Sequence, residues 1–287
     1  MSYKKIIRKI ARFILSSQPN TFVNVKVGQI CSGETLKDKK IVITGGGSGL
    51  GLAMARKFIS EGASVVISGR NENKLKKAVS ELGDNSDYLV YDVCDVQNCR
   101  NFLAKSSKIL NGLDFLVCNA GISLHENIFF NVTEEGFDKQ FDTKFKAGYF
   151  LGKAFLEMKL SDKDKSTDSE LLYISSETGN QCYDIPYGLA NTAVNSMVAA
   201  FSHRVYKSGI RVNAIAPGVT LTDMTKDYAD SGDGNLWRDC SSGRVFLPEE
   251  VAEVACFLLS DASKCISGEV IHCNASNHRK VFWDESE

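Results

Sequence analysis

Gly45-Gly46-Gly47-Ser48-Gly49-Leu50-Gly51 follows the apolar run Ile41-Val42-Ile43-Thr44 without interruption, and a helical pattern starts directly behind it at Leu52-Ala53-Met54-Ala55. Glycine at such a junction lets the backbone turn tightly and removes the side chains that would hold a pyrophosphate away. The helix behind it offers free N–H groups and the positive end of its dipole to the anion. These residues are therefore suited to binding phosphate through the backbone. The placement between strand and helix carries this reading, because a glycine string elsewhere would be an ordinary tight turn.

A loop of this kind needs a strand before it, a helix after it and a sheet to fix both. Short continuous runs rich in Val, Ile and Leu occur at 41–44, 64–68, 88–91, 113–118, 171–175, 210–215 and 269–273. Helical patterns lie between them near 50–61, 72–82, 96–110, 134–160, 187–208 and 248–260. Strand and helix alternating in this way predict an α/β fold. It is a single doubly wound Rossmann-type domain with a mostly parallel seven-stranded sheet, both faces covered and ligands at the carboxyl ends of the strands. Residues 161–168 read as a charged solvent loop. Residues 219–247, with Gly232, Gly234 and Gly243 among polar residues, read as a substrate loop.

The 287 residues are 43% hydrophobic and 24% charged, with a mean hydropathy of -0.14, which excludes a disordered chain, a collagen-like repeat and a multi-span membrane protein. A net charge of -1 argues against nucleic acid as a partner. The nine cysteines are odd in number and show no paired metal or redox spacing, and several sit in apolar runs as small buried hydrophobes. The implied home is a reducing cytoplasm. No metal site is expected.

Residues 1–35 read as an extension to a domain spanning 36–287. Within it, Ile6, Ile7, Ile10, Phe13 and Ile14 recur at helical spacing opposite Lys4, Lys5, Arg8, Lys9 and Arg12. Over residues 3–15 this predicts a short amphipathic helix. It either docks on its own domain or a second copy, or rests peripherally on an anionic membrane surface.

The spacing Thr44-Gly45-x-x-x-Gly49-x-Gly51 resembles that of the short-chain dehydrogenase/reductase family. Further motifs follow in that family's order: Asp92-Val93, Asn119-Ala120-Gly121, Ser175-Ser176, Tyr187, Arg211-Val-Asn-Ala-Ile-Ala-Pro217-Gly218 and Ser267-Gly268-Glu269. The resemblance covers about residues 36–275. It implies that Gly45, Gly47, Ser48, Gly49, Leu50 and Gly51 cradle cofactor phosphates and that Asp92 and Val93 contact adenine. It places Asn119, Ala120 and Gly121 along the cofactor cleft, with Pro217, Gly218 and Thr222 near the nicotinamide. The second apolar run ends in Gly69-Arg70, without the acid that would bind the ribose hydroxyls of NAD. The Arg70 guanidinium matches a 2′-phosphate, so NADP is expected over NAD.

The family's reaction centre uses a tyrosine as proton donor or acceptor, a serine on the substrate oxygen and a lysine four residues after the tyrosine. An asparagine one helix earlier holds a water. Tyr187 and Ser176 fit, with Ser175 the alternative if the register shifts by one. The serine and tyrosine stand slightly closer together than is common, which implies a short substrate-side loop. Asn191 stands where the lysine belongs and Lys144 where the asparagine belongs, so the two residue types have changed places. Lys144 either returns the missing cation from the neighbouring helix or points to solvent beside a degenerate site. A literal Tyr149-x-x-x-Lys153 lies within the preceding helix and reads as packing. His125 is a candidate substrate contact, and Trp237 and Phe246 are candidates to close the pocket.

The expected function is NADP-dependent hydride transfer between the nicotinamide and a carbonyl or alcohol substrate at an atypical site. The alternative is a catalytically degenerate NADP-binding scaffold or regulatory subunit, and a nucleotide-sugar epimerase fits less well because little chain follows residue 219. A homo-oligomer is open, although Cys273-Asn-Ala-Ser276 lacks the glycine pair often found there in the family.

Overall fold

The computed structural model describes residues 32–126, 128–162, 168–225, 241–242 and 244–279. The expected helix over residues 3–15, Trp237 and most of the loop over 219–247 lie outside them. The strands are β1 (Lys40–Thr44), β2 (Ser64–Gly69), β3 (Ser86–Val90), β4 (Phe115–Cys118), β5 (Ser169–Ile174), β6 (Ile210–Pro217) and β7 (Val270–Cys273). They form one sheet in the order β3-β2-β1-β4-β5-β6-β7, and every neighbouring pair is parallel. The sheet is thus wholly rather than mostly parallel.

The main helices are α1 (Gly49–Ser60), α2 (Glu72–Leu82), α3 (Cys99–Leu110), α4 (Glu134–Phe141), α5 (Ala147–Ser161), α6 (Pro186–Val205) and α7 (Pro248–Leu259). Alternation along each strand divides the core between the two faces of the sheet. Ile41 and Ile43 pack with Met54, Phe58 and Leu258 on one face; Val42 packs with Phe102, Phe155 and Val198 on the other. Local signals start the helices. The Asn71 side chain accepts from Lys74 N at 3.0 Å ahead of α2, Thr133 accepts from Gly136 N at 3.1 Å ahead of α4, and proline opens α6 and α7.

The helix expected over 134–160 forms as one uninterrupted run with a π turn inside it. It consists of α4, a π turn at Asp142–Lys146 and α5. The wider turn takes in an additional residue. Lys144 lies within it and is buried.

Connections leave β1 towards β2 on one side, while β4 joins β1 on the other. The loops at the carboxyl ends of these two strands diverge, and a crevice opens between them. The site is built there.

Candidate active site

Two adjoining clefts open at the carboxyl edge of the sheet. The first, about 310 Å³, is lined from the expected set by Gly45, Ser48, Gly49, Leu50, Arg70, Asp92, Val93, Asn119, Ala120, Gly121, Lys144, Tyr187 and Thr222. The second, about 290 Å³, takes Pro217 and Gly218 from that set and adds His125, Glu126, Ile185 and Val219. Leu50, Ser175, Tyr187, Thr222 and Met224 belong to both walls. Gly47, Gly51, Ser176 and Asn191 line neither cleft.

The floor of the first cleft depends on two glycines in the left-handed region, Gly45 at φ 67° and Gly49 at φ 54°. Gly51 is close-packed: a Cβ there would strike the Gly45 carbonyl oxygen and lie 2.7 Å from Asn119 Nδ2. Asn119 is a clamp as well as a wall. Its Nδ2 donates to the carbonyls of Thr44 at 3.0 Å and Gly45 at 3.1 Å, and its backbone N–H donates to Thr44 Oγ1 at 3.1 Å. Ala120 N donates to the same hydroxyl at 3.1 Å. The end of β4 is thereby tied to the glycine loop. Gly51→Ala is expected to cost about 1–3 kcal/mol of stability through overpacking, measured as a lower denaturation midpoint.

Lys144 enters the first cleft from the π turn. Its Nζ donates to the Ile174 carbonyl at 2.5 Å, at the end of β5 and directly before the serine pair. Gly121 leaves room for it, since a Cβ there would sit 3.1 Å from Nζ. Burial lowers the Lys144 pKa to about 8.

Tyr187 stands near the start of α6. Burial raises its phenol above the ordinary value of 10.0; the neighbouring Ser176 and Asn191 side chains oppose this, and Tyr183 and Glu177 push it further up. The two serines divide their partners. Ser175 Oγ donates to Asn195 Oδ1 at 2.6 Å, whereas Ser176 Oγ accepts from Thr178 Oγ1 at 3.0 Å. Of the two hydroxyl-bearing residues, Ser175 lines both clefts and Ser176 lies directly behind it.

Asn191 is fully enclosed. Its Nδ2 donates to the Tyr187 carbonyl at 2.8 Å, and its Oδ1 has no hydrogen-bond partner. It therefore lies behind the tyrosine rather than on the cleft surface. Tyr149 packs its ring near Phe150 and Phe201 while Lys153 pairs with Glu157 at 3.8 Å, so that motif is remote from both clefts.

Two further residues at the site carried no signal in the sequence. Glu177, next to Ser176, is buried and accepts from Asn274 Nδ2 at 3.0 Å and Asn277 Nδ2 at 3.1 Å, which docks the segment after β7 onto the serine turn. Glu126 lines the second cleft beside His125. Among the described residues no group of three or more His, Cys, Asp or Glu side chains is placed to hold a metal ion. No helix of the described residues is long and apolar enough to cross a membrane.

The parallel sheet with its paired clefts is a Rossmann-type scaffold, and comparison with known proteins identifies it as that of an oxidoreductase. A family model described as enoyl-(acyl carrier protein) reductase matches residues 45–275. The chain is 32% identical over 241 residues to 3-oxoacyl-(acyl-carrier-protein) reductase FabG of Rickettsia conorii, covering 83% of this chain and 96% of that protein. It is 30% identical over 252 residues to general stress protein 39 of Bacillus subtilis, covering 85% and 86%. The structure of 3-ketoacyl-(acyl-carrier-protein) reductase from Brucella melitensis complexed with NADH has the same fold, with a TM-score of 0.76 at 24% identity over 85% of this chain and 100% of that one. The chain belongs to the short-chain dehydrogenase/reductase family.

Proposed function

We propose that this chain is an NADP-dependent oxidoreductase acting between the nicotinamide and a carbonyl or alcohol carbon, with Tyr187 as the proton donor or acceptor. The observation that carries this reading is the place of Tyr187, in the wall common to a glycine-floored cleft and a second, more apolar one. The residues present fit a nicotinamide dinucleotide. Gly45 and Gly49 have the backbone freedom to approach phosphates, and α1 starts at the loop with Ser48 as N-cap and no side-chain capping bond. When bound, the cofactor supplies or accepts the hydride. The serine pair positions the substrate oxygen, with Ser175 in the wall of both clefts and Ser176 next to it; Tyr187 holds the proton, and Lys144 provides positive charge close to the end of β5. The name of the Rickettsia relative makes 3-oxoacyl thioesters the first substrates to try.

NADP is favoured by Arg70, exposed at the edge of the first cleft where an acid would bind ribose hydroxyls. Arg70→Ala is expected to weaken NADPH binding about 10- to 100-fold through loss of a charge-assisted hydrogen bond and to leave NADH binding within a few-fold. Fluorescence titration with both coenzymes measures this. Binding of neither coenzyme by the folded wild-type chain would remove the reading altogether.

Asn191 favours a second reading, that of a cofactor-binding scaffold or regulatory subunit without turnover, because it brings no cation to the tyrosine. Tight NADPH binding with no oxidation across a panel of 3-oxoacyl thioesters, simple ketones and keto sugars would select it.

A further inference from the structure

The second cleft holds a carboxylate for which the proposed chemistry has no use. Glu126 lies in its wall together with Ser123, His125 and the apolar side chains of Ile185, Val219 and Met224. One oxygen of the carboxylate is fixed. Gln140, 1% exposed on α4, accepts from Leu124 N through its Oε1 at 3.3 Å, so its Nε2 is the atom turned to Glu126 Oε1, at 2.7 Å. The same Nε2 donates to the Gly136 carbonyl at 3.3 Å. The amide can therefore only donate to Glu126. The other carboxylate oxygen, Oε2, is buried and has no hydrogen-bond partner among the described residues. Such an atom is unfavourable as it stands, and a donor brought by a ligand would satisfy it.

We infer that Glu126 is a specificity-determining residue and that the substrate carries a hydrogen-bond donor, a hydroxyl or an ammonium group, on an otherwise apolar body. The inference rests on the reading of the second cleft as the substrate side. The apolar wall takes the body of the molecule, Gln140 anchors Oε1, and a small shift of the Glu126 side chain that keeps this anchor turns Oε2 to the donor. An analogue with a methyl in place of the donor leaves that oxygen unpaired and is discriminated against.

The test uses ω-hydroxy methyl ketones of increasing chain length, each paired with the alkyl ketone in which a methyl replaces the hydroxyl. Binding to the full chain saturated with NADP is measured by calorimetry, and reduction is measured with NADPH. At one or more chain lengths the wild type is expected to prefer the hydroxy ketone about 10- to 100-fold, the range for a hydrogen bond to a charged group. Glu126→Ala is expected to erase this preference, and Glu126→Gln, which keeps an acceptor oxygen, to retain part of it. Glu126→Gln also serves as the reporter if the alanine variant does not fold. Absence of any preference in the wild type, or an undiminished preference in a folded Glu126→Ala variant, overturns the inference. If no ketone is reduced but the binding preference is present and lost in Glu126→Ala, the reductase reading fails and the role of Glu126 stands.

Discussion

Replacing Tyr187 by phenylalanine is expected to lower kcat for carbonyl reduction about 100- to 10,000-fold, the span of a positioned general acid, with NADPH affinity within a few-fold of wild type. The substitution removes one oxygen and keeps the ring in place, so a loss in kcat without a loss in coenzyme binding isolates the proton-transfer role. Burial holds the phenol above its ordinary pKa, and the negative charge of Glu177 adds to this. The proton therefore stays on through the neutral range, and the group is set up as a donor. Reduction should show no loss attributable to the phenol at neutral pH, whereas alcohol oxidation, which needs the phenolate, should rise as the solution becomes alkaline. Rate profiles in both directions over pH 6–10, for wild type and Tyr187→Phe, decide the matter. Unchanged turnover in the variant would mean that the acid lies elsewhere.

The second large effect belongs to Lys144. If its ammonium serves the reaction, reduction should decline as pH rises through about 8, where this buried group gives up its proton. Lys144→Met should remove that decline and lower kcat about 10- to 100-fold at neutral pH, as loss of a nearby charge worth one to two pKa units would do. Stability should move the other way. The folded-state pKa is depressed to about 8 from 10.5, so the penalty for burying the cation is fully present below pH 8 and fades as pH climbs towards 10.5. Wild-type stability should therefore rise across that window. Lys144→Met should flatten the rise and gain about 1–3 kcal/mol at neutral pH, read from denaturant midpoints. A variant that is more stable but equally active with the same pH profile would make Lys144 a packing residue only.

Much of this arrangement is visible in the residues themselves. The strands were legible because a parallel sheet covered on both faces demands unbroken runs such as Ile41-Val-Ile-Thr44, and the glycine loop because its geometry admits no side chain at Gly51. The π turn was not, since the helix behind it, Ala147–Ser161, is apolar on most sides and shows no sharp stripe whose phase could reveal an additional residue. The exchange of Lys144 and Asn191 could be seen, but not its geometry. The shorter asparagine turns back to the Tyr187 carbonyl instead of reaching the cleft, while the lysine stretches to Ile174. Pairs such as Glu126–Gln140 and Glu177–Asn274 join residues that no local pattern connects. They became apparent only when the chain was folded.

The strand order has a consequence for how the chain acquires its structure. β1 lies between β2, the next strand in sequence, and β4, which follows only after α1, β2, α2, β3 and α3 have been traversed. Ile41 can meet Phe115 only by closing that long intervening stretch, and each later strand adds to the same side. Loop-closure entropy must be met before the central pairing gives anything back. Assembly of this sheet is consequently a slow event governed by topology, and its unfinished edges are exposed for longest while the second half of the chain is still arriving.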